Sequence, residues 1–226
     1  MLSAVIAASL WLASEQSPPT VTLGVLVFPP EVVINPDTGE CEGNAIKKVR
    51  ELLTPFIVHA ECAPPARIFK MIEHGEVDLT INIKSTPAVK DFVEFVDPAY
   101  RYLTLNLYGH KGFDTPGTVA AIRGFDYHGY RTNLTNQDFI FVDLPTSIDA
   151  ISMFTRQRTD YLLSYESPAK ALRAYFPDDT RTQTLMKVPT HLAISKVSPY
   201  RMQLIKHLNN LYQTEKFETF ERYTVE

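Results

Sequence analysis

The chain has 226 residues, of which 45% are hydrophobic and 21% charged, and its formal net charge is -4 at pH 7. This length suffices for one large domain or two modest ones, and the composition is that of an ordinary soluble globular protein. Because the net charge is negative and Lys and Arg form no stripe, nucleic acid is excluded as an expected partner.

Residues 1–14 carry no charge and are mostly apolar or small. This segment is too short to span a bilayer, which requires about 20 apolar residues, but it has the length of the hydrophobic region of a signal peptide. Polar residues and Pro18-Pro19 follow it. We therefore expect a signal peptide over 1–14 and an exported protein; the alternative is a buried N-terminal helix.

The chain contains two cysteines, Cys41 and Cys62. An even number of cysteines permits a disulfide in an exported protein, whereas two free thiols would be ordinary in the cytosol. Neither cysteine lies in a metal-ligand spacing, so we expect no metal and no other cofactor. A bridge between them would stabilise the fold by about 3 kcal/mol on the chain-entropy model, and we expect it to form.

Apolar strands alternate with helical periodicity in the first part of the chain. Segments 21–28, 56–60 and 77–83 are predicted strands, and helices are predicted from Asn44 to before Pro55 and over 66–74. Such β-α-β-α-β order within about 65 residues indicates a parallel sheet with right-handed crossovers.

A second unit of alternating strands and helices follows. The predicted strands are 103–108, 118–122, 139–142, 161–164 and 190–194. The predicted helices are 127–134, a helix capped by Thr146 or Ser147 that ends near Arg156, 167–175, and one or two closing helices within 199–223. The helical cap follows from the preference of hydroxyl side chains for this position.

Segment 66–100 carries motifs of a known family. It contains Gly75-Glu76-Val77-Asp78-Leu79, then Thr86-Pro87, then Phe95-Val96-Asp97-Pro98 followed by Tyr100. In this order the motifs resemble those of the family 3 extracellular solute-binding proteins. Weaker similarity to the same family extends over 147–161 and 193–223.

The resemblance implies an α/β fold of the periplasmic binding protein-like II type. Two lobes, each a mostly parallel sheet flanked by helices, would be joined by a two-segment hinge near His110 and Pro189. Lobe 1 would comprise 20–108 plus 191–226, and lobe 2 would comprise 112–188. The implied function is the capture of a small polar or anionic solute in a cleft between the lobes, in the bacterial periplasm. The expected partner is an ABC-type transporter or a membrane sensor, and the expected oligomeric state is a monomer.

Open α/β sheets bind ligands beyond the carboxyl ends of their strands, which selects the candidate ligand-binding residues. These candidates are Phe28, Pro30, Glu31, Lys84, Ser85, Thr86, Tyr100, Arg101, Arg123, Thr146 and Glu166. Each has a structural alternative. Phe28 to Glu31 are equally consistent with a strand-ending turn, and Ser85 or Thr86 with a helix cap. Arg123 is also compatible with a surface loop, and Arg101 with an ion pair to a neighbouring carboxylate.

The chain departs from the amino-acid-binding members of the resembled family at two positions. Those members use an arginine to grip the α-carboxylate of the ligand, and Val89 stands in its place, with Lys90 beside it. A lysine lacks the planar bidentate fork of arginine. In lobe 2, Glu166 would meet the ligand ammonium only if the register slipped by one residue. Binding of an ordinary α-amino acid is therefore the minority expectation.

An enzymatic function is not expected. The six histidines show no paired spacing, and the sequence contains no nucleophile elbow or phosphate-binding loop. The remaining alternatives are a sensory module of the same fold and a dehydratase-type enzyme, in which Glu166 and His128 would form the catalytic pair.

Overall fold

The computed structural model describes residues 17–110 and 112–213. The predicted signal peptide and the end of the predicted closing helix, 214–223, lie outside the described residues. Within these described ranges, no helix is long and apolar enough to cross a membrane.

The fold alternates short strands and helices along the chain. The strands are β1 (Thr20–Val25), β2 (Val33–Ile34), β3 (Cys41–Glu42), β4 (Ile57–Cys62), β5 (Leu79–Asn82), β6 (Val93–Phe95), β7 (Arg101–Gly109), β8 (Thr118–Ile122), β9 (Ile140–Leu144), β10 (Tyr161–Tyr165) and β11 (Arg181–Ser195). The helices are α1 (Asn44–Leu52), α2 (Pro65–His74), α3 (Pro87–Lys90), α4 (Tyr130–Thr135), α5 (Ser147–Thr155), α6 (Glu166–Ala171) and α7 (Arg201–Tyr212).

Lobe 1 is built on a sheet with the strand order β4-β1-β5-β11, and β6 also pairs with β11. Strands β4, β1 and β5 are parallel, as the β-α-β-α-β pattern predicts, whereas β11 runs antiparallel to β5. The apolar faces of α1 and α2 cover this sheet. Ile46 and Ile68 are fully buried. Helix α2 begins at Pro65, and Gly75 follows its last residue with a φ of 77°, a conformation that glycine adopts without strain.

Lobe 2 is built on a sheet with the strand order β11-β7-β10-β8-β9. Strands β10, β8 and β9 are parallel, and β7 runs antiparallel between β10 and β11. Helix α5 covers this sheet with Ile151 and Phe154, which pack with Leu162 in the buried core.

Strand β11 belongs to both lobes. Its first part, Arg181 to Thr190, pairs with β7, and its last part, His191 to Ser195, pairs with β5 and β6. The other connection runs beside it, since the Tyr100 backbone N–H donates to the Thr190 carbonyl at 2.7 Å just before β7 begins. The two crossing segments are therefore neighbours, close to Tyr100 and Thr190.

This pairing differs from the sequence-based lobe boundary in one respect. Strand 103–108 was expected to end lobe 1, with a hinge segment near His110. Instead β7 pairs along its whole length with lobe 2 strands, because its apolar residues Leu105 and Leu107 are buried against β8 and β10. In this pairing the chain crosses once near Tyr100 and once near Thr190.

A disulfide joins Cys41 of β3 to Cys62 at the end of β4, with the two Cα atoms 5.8 Å apart. This confirms the expected bridge. It fastens the short β2-β3 hairpin to the edge strand of the lobe 1 sheet.

Candidate ligand cleft

A cleft of about 620 Å³ of empty space, part of it open to solvent, lies where the lobes meet. We call it the apolar chamber. Its apolar lining consists of Val25, Leu26, Phe28, Val32, Ala45, Ile81, Ile83, Leu103 and Phe125. Its other lining residues are Glu31, Asn82, Tyr100, Arg101, Tyr165 and Thr190. The chamber has the character of a small-molecule site, which is typically apolar with a few polar groups.

A smaller cavity of about 220 Å³ adjoins the first, and we call it the polar chamber. Ser85 and Thr86 contribute to it from lobe 1, and Asp126, Tyr127 and His128 contribute from lobe 2. Three residues line both chambers, namely Ile83, Phe125 and Tyr165. The two chambers therefore form one cleft with an apolar end and a polar end.

The two charged residues of the apolar chamber bind each other. Arg101 Nη1 lies 3.1 Å from Glu31 Oε2, and Arg101 Nη2 donates to Glu31 Oε1 at 3.1 Å. The side chains are only 17% and 21% exposed. This bidentate geometry uses both carboxylate oxygens and both terminal nitrogens, so neither charge is available alone for a ligand.

An aromatic chain connects the lobes along the cleft. Phe28 of lobe 1 packs against Tyr165 of lobe 2 with ring centroids 6.0 Å apart, and Tyr127 lies 5.8 Å from Tyr165 and 5.6 Å from Phe125. The hydroxyl of Ser147, at the start of α5, also donates to the Val27 carbonyl across the lobe boundary at 3.5 Å. The lobes are thus in contact around the cleft.

Several buried polar atoms of the cleft residues have no hydrogen-bond partner. Among the described residues they are Asn82 Nδ2, Arg101 Nε, His128 Nε2 and the Tyr165 hydroxyl. The orientation of the Asn82 amide is fixed, because its Oδ1 accepts from the Ile83 N–H at 2.8 Å and from the Thr86 hydroxyl at 2.9 Å. Burial raises the pKa of Tyr165 well above its ordinary value, so its hydroxyl stays protonated. Buried polar groups are normally paired, and unpaired ones at a cavity are consistent with a ligand.

The lobe 2 side of the polar chamber is formed by loop 125–129. Tyr127 and His128 have φ angles of 51° and 55°, which side-chain-bearing residues rarely adopt and which are enriched at ligand sites. Asp126 Oδ2 accepts from the Gly129 N–H at 2.8 Å, and Arg131 donates to the Phe125 carbonyl at 2.9 Å. Burial lowers the pKa of His128 and so favours the neutral imidazole, although the charge of Asp126 acts in the opposite direction.

Six of the predicted site residues line the cleft. Phe28, Glu31, Tyr100 and Arg101 line the apolar chamber, and Ser85 and Thr86 line the polar chamber. Arg101 also adopts its predicted structural alternative, the ion pair with a neighbouring carboxylate. Thr86 precedes α3 at the cap position, but its hydroxyl bonds the Asn82 side chain and not the helix backbone.

The other five predicted residues are not among the lining residues of either chamber. Lys84 extends away to Asp97, with Nζ 2.6 Å from Oδ1, and this hydrogen bond lowers the pKa of the Asp97 carboxyl. The Thr146 hydroxyl caps α5, accepting from the Asp149 N–H at 3.1 Å. Pro30, Arg123 and Glu166 are exposed. These five residues thus form a turn, a helix cap or a surface ion pair, or are exposed, and do not line the cleft.

Several lining residues were not among the predicted ligand-binding residues: Asn82, Phe125, Asp126, Tyr165, Thr190, and His128, which was considered only as a catalytic partner of Glu166. Asn82 was detectable in principle, since an amide at the end of an apolar strand must find partners. Tyr165 is the last residue of β10 and the 125–128 loop follows β8, so both lie at strand ends, where the rule selected the other candidates.

The amino-acid clamp of the resembled family is missing from the cleft. Val89, in the place of the carboxylate-binding arginine, is fully buried in the lobe 1 core. Glu166 is exposed at the start of α6. Among the described residues, no group of three or more His, Cys, Asp or Glu side chains is arranged to hold a metal ion.

The architecture defines the class of fold: two α/β lobes joined by two crossing segments around a cleft. No protein-family model and no curated protein matches the sequence. Solved structures do match. An ancestral arginine-binding protein bound to arginine has a TM-score of 0.72 at 16% identity, with 91% of this chain and 96% of that chain covered.

Two further solved structures are similar, one a sensor domain and one a periplasmic binding protein. A histidine kinase sensor domain with similarity to periplasmic binding proteins has a TM-score of 0.72 at 16% identity, covering 90% of this chain and 95% of that one. A periplasmic binding protein of Salmonella typhimurium with high arginine specificity has a TM-score of 0.71 at 13% identity, covering 89% and 97%. The fold is therefore that of the periplasmic binding proteins, as the motifs of segment 66–100 predicted.

Proposed function

We propose that the chain is a solute-binding protein that captures a small polar solute in the interlobe cleft and delivers it to an ABC-type transporter in the periplasm. The observation that supports this most is the cleft itself. It lies between lobes joined by two crossing segments and contains buried polar atoms without partners. In such a fold the crossing segments act as a hinge, and closure removes the solute from water.

Of the two predicted solute classes, polar and anionic, the cleft favours the polar one. Arg101 and Arg123 are the two arginines among the predicted ligand-binding residues, but both terminal nitrogens of Arg101 are bonded to Glu31. Arg123 is exposed and does not line either chamber. The dehydratase alternative is also not supported, since it requires Glu166 and His128 in one cleft and only His128 lines it.

A thermal-shift screen over amines, alcohols, organic acids, amino acids and short peptides tests solute capture. A ligand at 100 times its Kd adds about 2.7 kcal/mol to the free energy of unfolding. Phe125→Ala, which opens the wall shared by both chambers, is expected to abolish the shift. The matched control is Phe113→Ala, a half-buried phenylalanine that packs on Tyr161 in the same lobe and is expected to keep it. A folded protein that no compound stabilises contradicts the proposal, and so does an unchanged shift in Phe125→Ala.

A sensory role is the second candidate, favoured by the similarity to a histidine kinase sensor domain. Both roles require solute capture, so the screen does not separate them. Affinity capture from solubilised membranes in the presence of the solute does: recovery of a permease supports transport, and recovery of a kinase supports sensing. We propose a monomer, and a single peak near 25 kDa in light scattering is the expected result for the 25.6 kDa chain.

A further inference from the structure

From the charges and the apolar lining of the cleft we infer that the solute is a monovalent amine with an apolar body. Its ammonium group would lie by Asp126 in the polar chamber, and its body would fill the apolar chamber. This inference rests on the proposed function, because it names the chemical class of the solute that the cleft captures.

The charged residues that line the two chambers are Glu31, Arg101 and Asp126, two negative and one positive. Glu31 and Arg101 neutralise each other in a bidentate pair, which leaves Asp126 as the lining carboxylate that has no ion pair with a described residue. His128 does not balance it, because burial lowers the pKa of its imidazole. A cation is therefore the solute whose charge complements the lining.

Asp126 is arranged to accept further hydrogen bonds. Its carboxylate provides about four lone-pair sites, and Oδ2 accepts the Gly129 N–H at 2.8 Å. It is half-buried, and its charge contributes to the raised pKa of the Tyr165 phenol. The ring centroid of Tyr127 lies 5.6 Å from that of Phe125 and 5.8 Å from that of Tyr165. Aromatic faces of this kind attract ammonium groups.

The same lining disfavours a solute carboxylate. The residue in the place of the carboxylate-binding arginine, Val89, is in the core, and Arg101 is held by Glu31. A carboxylate that reached Arg101 would lie beside the negative charge of Glu31. The cleft therefore distinguishes an amine from an amino acid that has the same side chain.

The apolar chamber defines the rest of the solute. Its walls are aliphatic and aromatic, with Phe28 contributed by lobe 1 and Phe125 by lobe 2, and they suit an apolar body. Asn82 is only 7% exposed, and its Nδ2 group is a donor without a partner. A hydroxyl or carbonyl oxygen on the body of the solute would satisfy it.

Four probes that share one phenylethyl body test the inference by calorimetry at low ionic strength: phenethylamine, 2-phenylethanol, 3-phenylpropanoate and phenylalanine. The amine is expected to bind at least about tenfold more tightly than the alcohol, a difference of the size that one charge contact supplies. The acid and the amino acid are expected to bind more weakly than the alcohol. Added salt is expected to weaken binding of the amine and leave that of the alcohol unchanged.

Asp126→Asn keeps the acceptor for the Gly129 N–H and removes the charge. It is expected to lower the affinity for the amine about tenfold and to leave the alcohol unaffected. The matched control is Asp138→Asn, which makes the same charge change at an exposed turn of lobe 2 where φ is 65°, a conformation that asparagine tolerates. It is expected to change neither affinity.

Equal affinities for amine and alcohol, tighter binding of the acid or the amino acid, or an amine affinity that Asp126→Asn leaves unchanged would each overturn the inference. Failure of all four probes to bind would also overturn it. The proposed function is separate: it stands if any compound of the wider screen stabilises the protein through the cleft, and falls only if none does.

Discussion

The Glu31–Arg101 pair determines the charge of the apolar chamber, and a double-mutant cycle measures its strength. The two variants are Glu31→Gln and Arg101→Gln, alone and combined. Each single variant leaves one largely buried charge without its partner, whereas the double variant removes both charges. The quantity of interest is the difference between the double variant and the sum of the two singles.

The expected magnitude follows from the geometry. At the observed N···O distance of 3.1 Å, two unit charges attract each other by about 5 kcal/mol at an effective dielectric constant of 20. Desolvation of side chains that are 17% and 21% exposed offsets more than half of this attraction. We therefore expect each single variant to lower the free energy of unfolding by about 3 kcal/mol, and the pair to show a coupling energy of about 2 kcal/mol.

Urea unfolding of the four proteins, followed by circular dichroism, gives the free energies directly. If the two substitutions prove additive within about 0.5 kcal/mol, the pair is not formed in solution. Arg101 would then be free to bind an anion, and the anionic solute class would regain its place. Unequal m-values would show that a variant changed more than the pair.

Three further measurements test the fold. Reduction of the Cys41–Cys62 bridge, which spans a sequence separation of 21, is expected to lower the free energy of unfolding by about 3 kcal/mol, and an unchanged urea midpoint would contradict a bridge in the native protein. Gly24→Ala is expected to lower the free energy of unfolding by about 2 kcal/mol, because its added carbon would lie 2.8 Å from a buried Val77 methyl. A variant of unchanged stability would show that Gly24 and Val77 pack less closely. Burial lowers the pKa of His191 in the folded protein. As the pH falls below the ordinary histidine pKa of about 6.5, the unfolded chain therefore binds a proton at this residue more readily than the folded protein does. The free energy of unfolding is therefore expected to fall as the pH drops from 7 to 5, and to fall less steeply in His191→Gln. An equal dependence on pH in the two proteins would show that His191 does not cause it.

The sequence predicted the parts of the fold in which apolar pattern and backbone structure coincide. Strand β8 was predicted with its observed ends, because its residues are buried on both sides of the lobe 2 sheet. The first part of β11 was missed for the opposite reason. Residues Arg181 to Thr184 are exposed at the edge of the lobe 2 sheet, and their extended structure comes from backbone pairing with β7 that no side-chain pattern reveals.

The cleft was predictable to a similar degree. The rule that ligands lie beyond strand ends selected Phe28 and Arg101, which line it. The rule gives position along the chain but not the direction of a side chain, so it also selected Lys84 and Thr146. Their partners, Asp97 and the backbone of α5, are local contacts that become visible only once the chain has turned. The partner of Arg101, Glu31, lies 70 residues away, and such a pairing requires the fold.

The shared strand β11 has a consequence for the order in which the protein folds during synthesis. Lobe 2 is nearly continuous in the chain, from β7 to the first part of β11, so it is complete once about residue 190 has emerged from the ribosome. Lobe 1 begins with β1 but needs the end of β11 between β5 and β6, some 110 residues after β5. Contacts between distant segments form slowly, and domains generally fold as units during synthesis. Lobe 1, whose synthesis begins first, therefore completes its sheet only after lobe 2 has been synthesised. The strand that completes the lobe 2 sheet, β11, also completes the lobe 1 sheet.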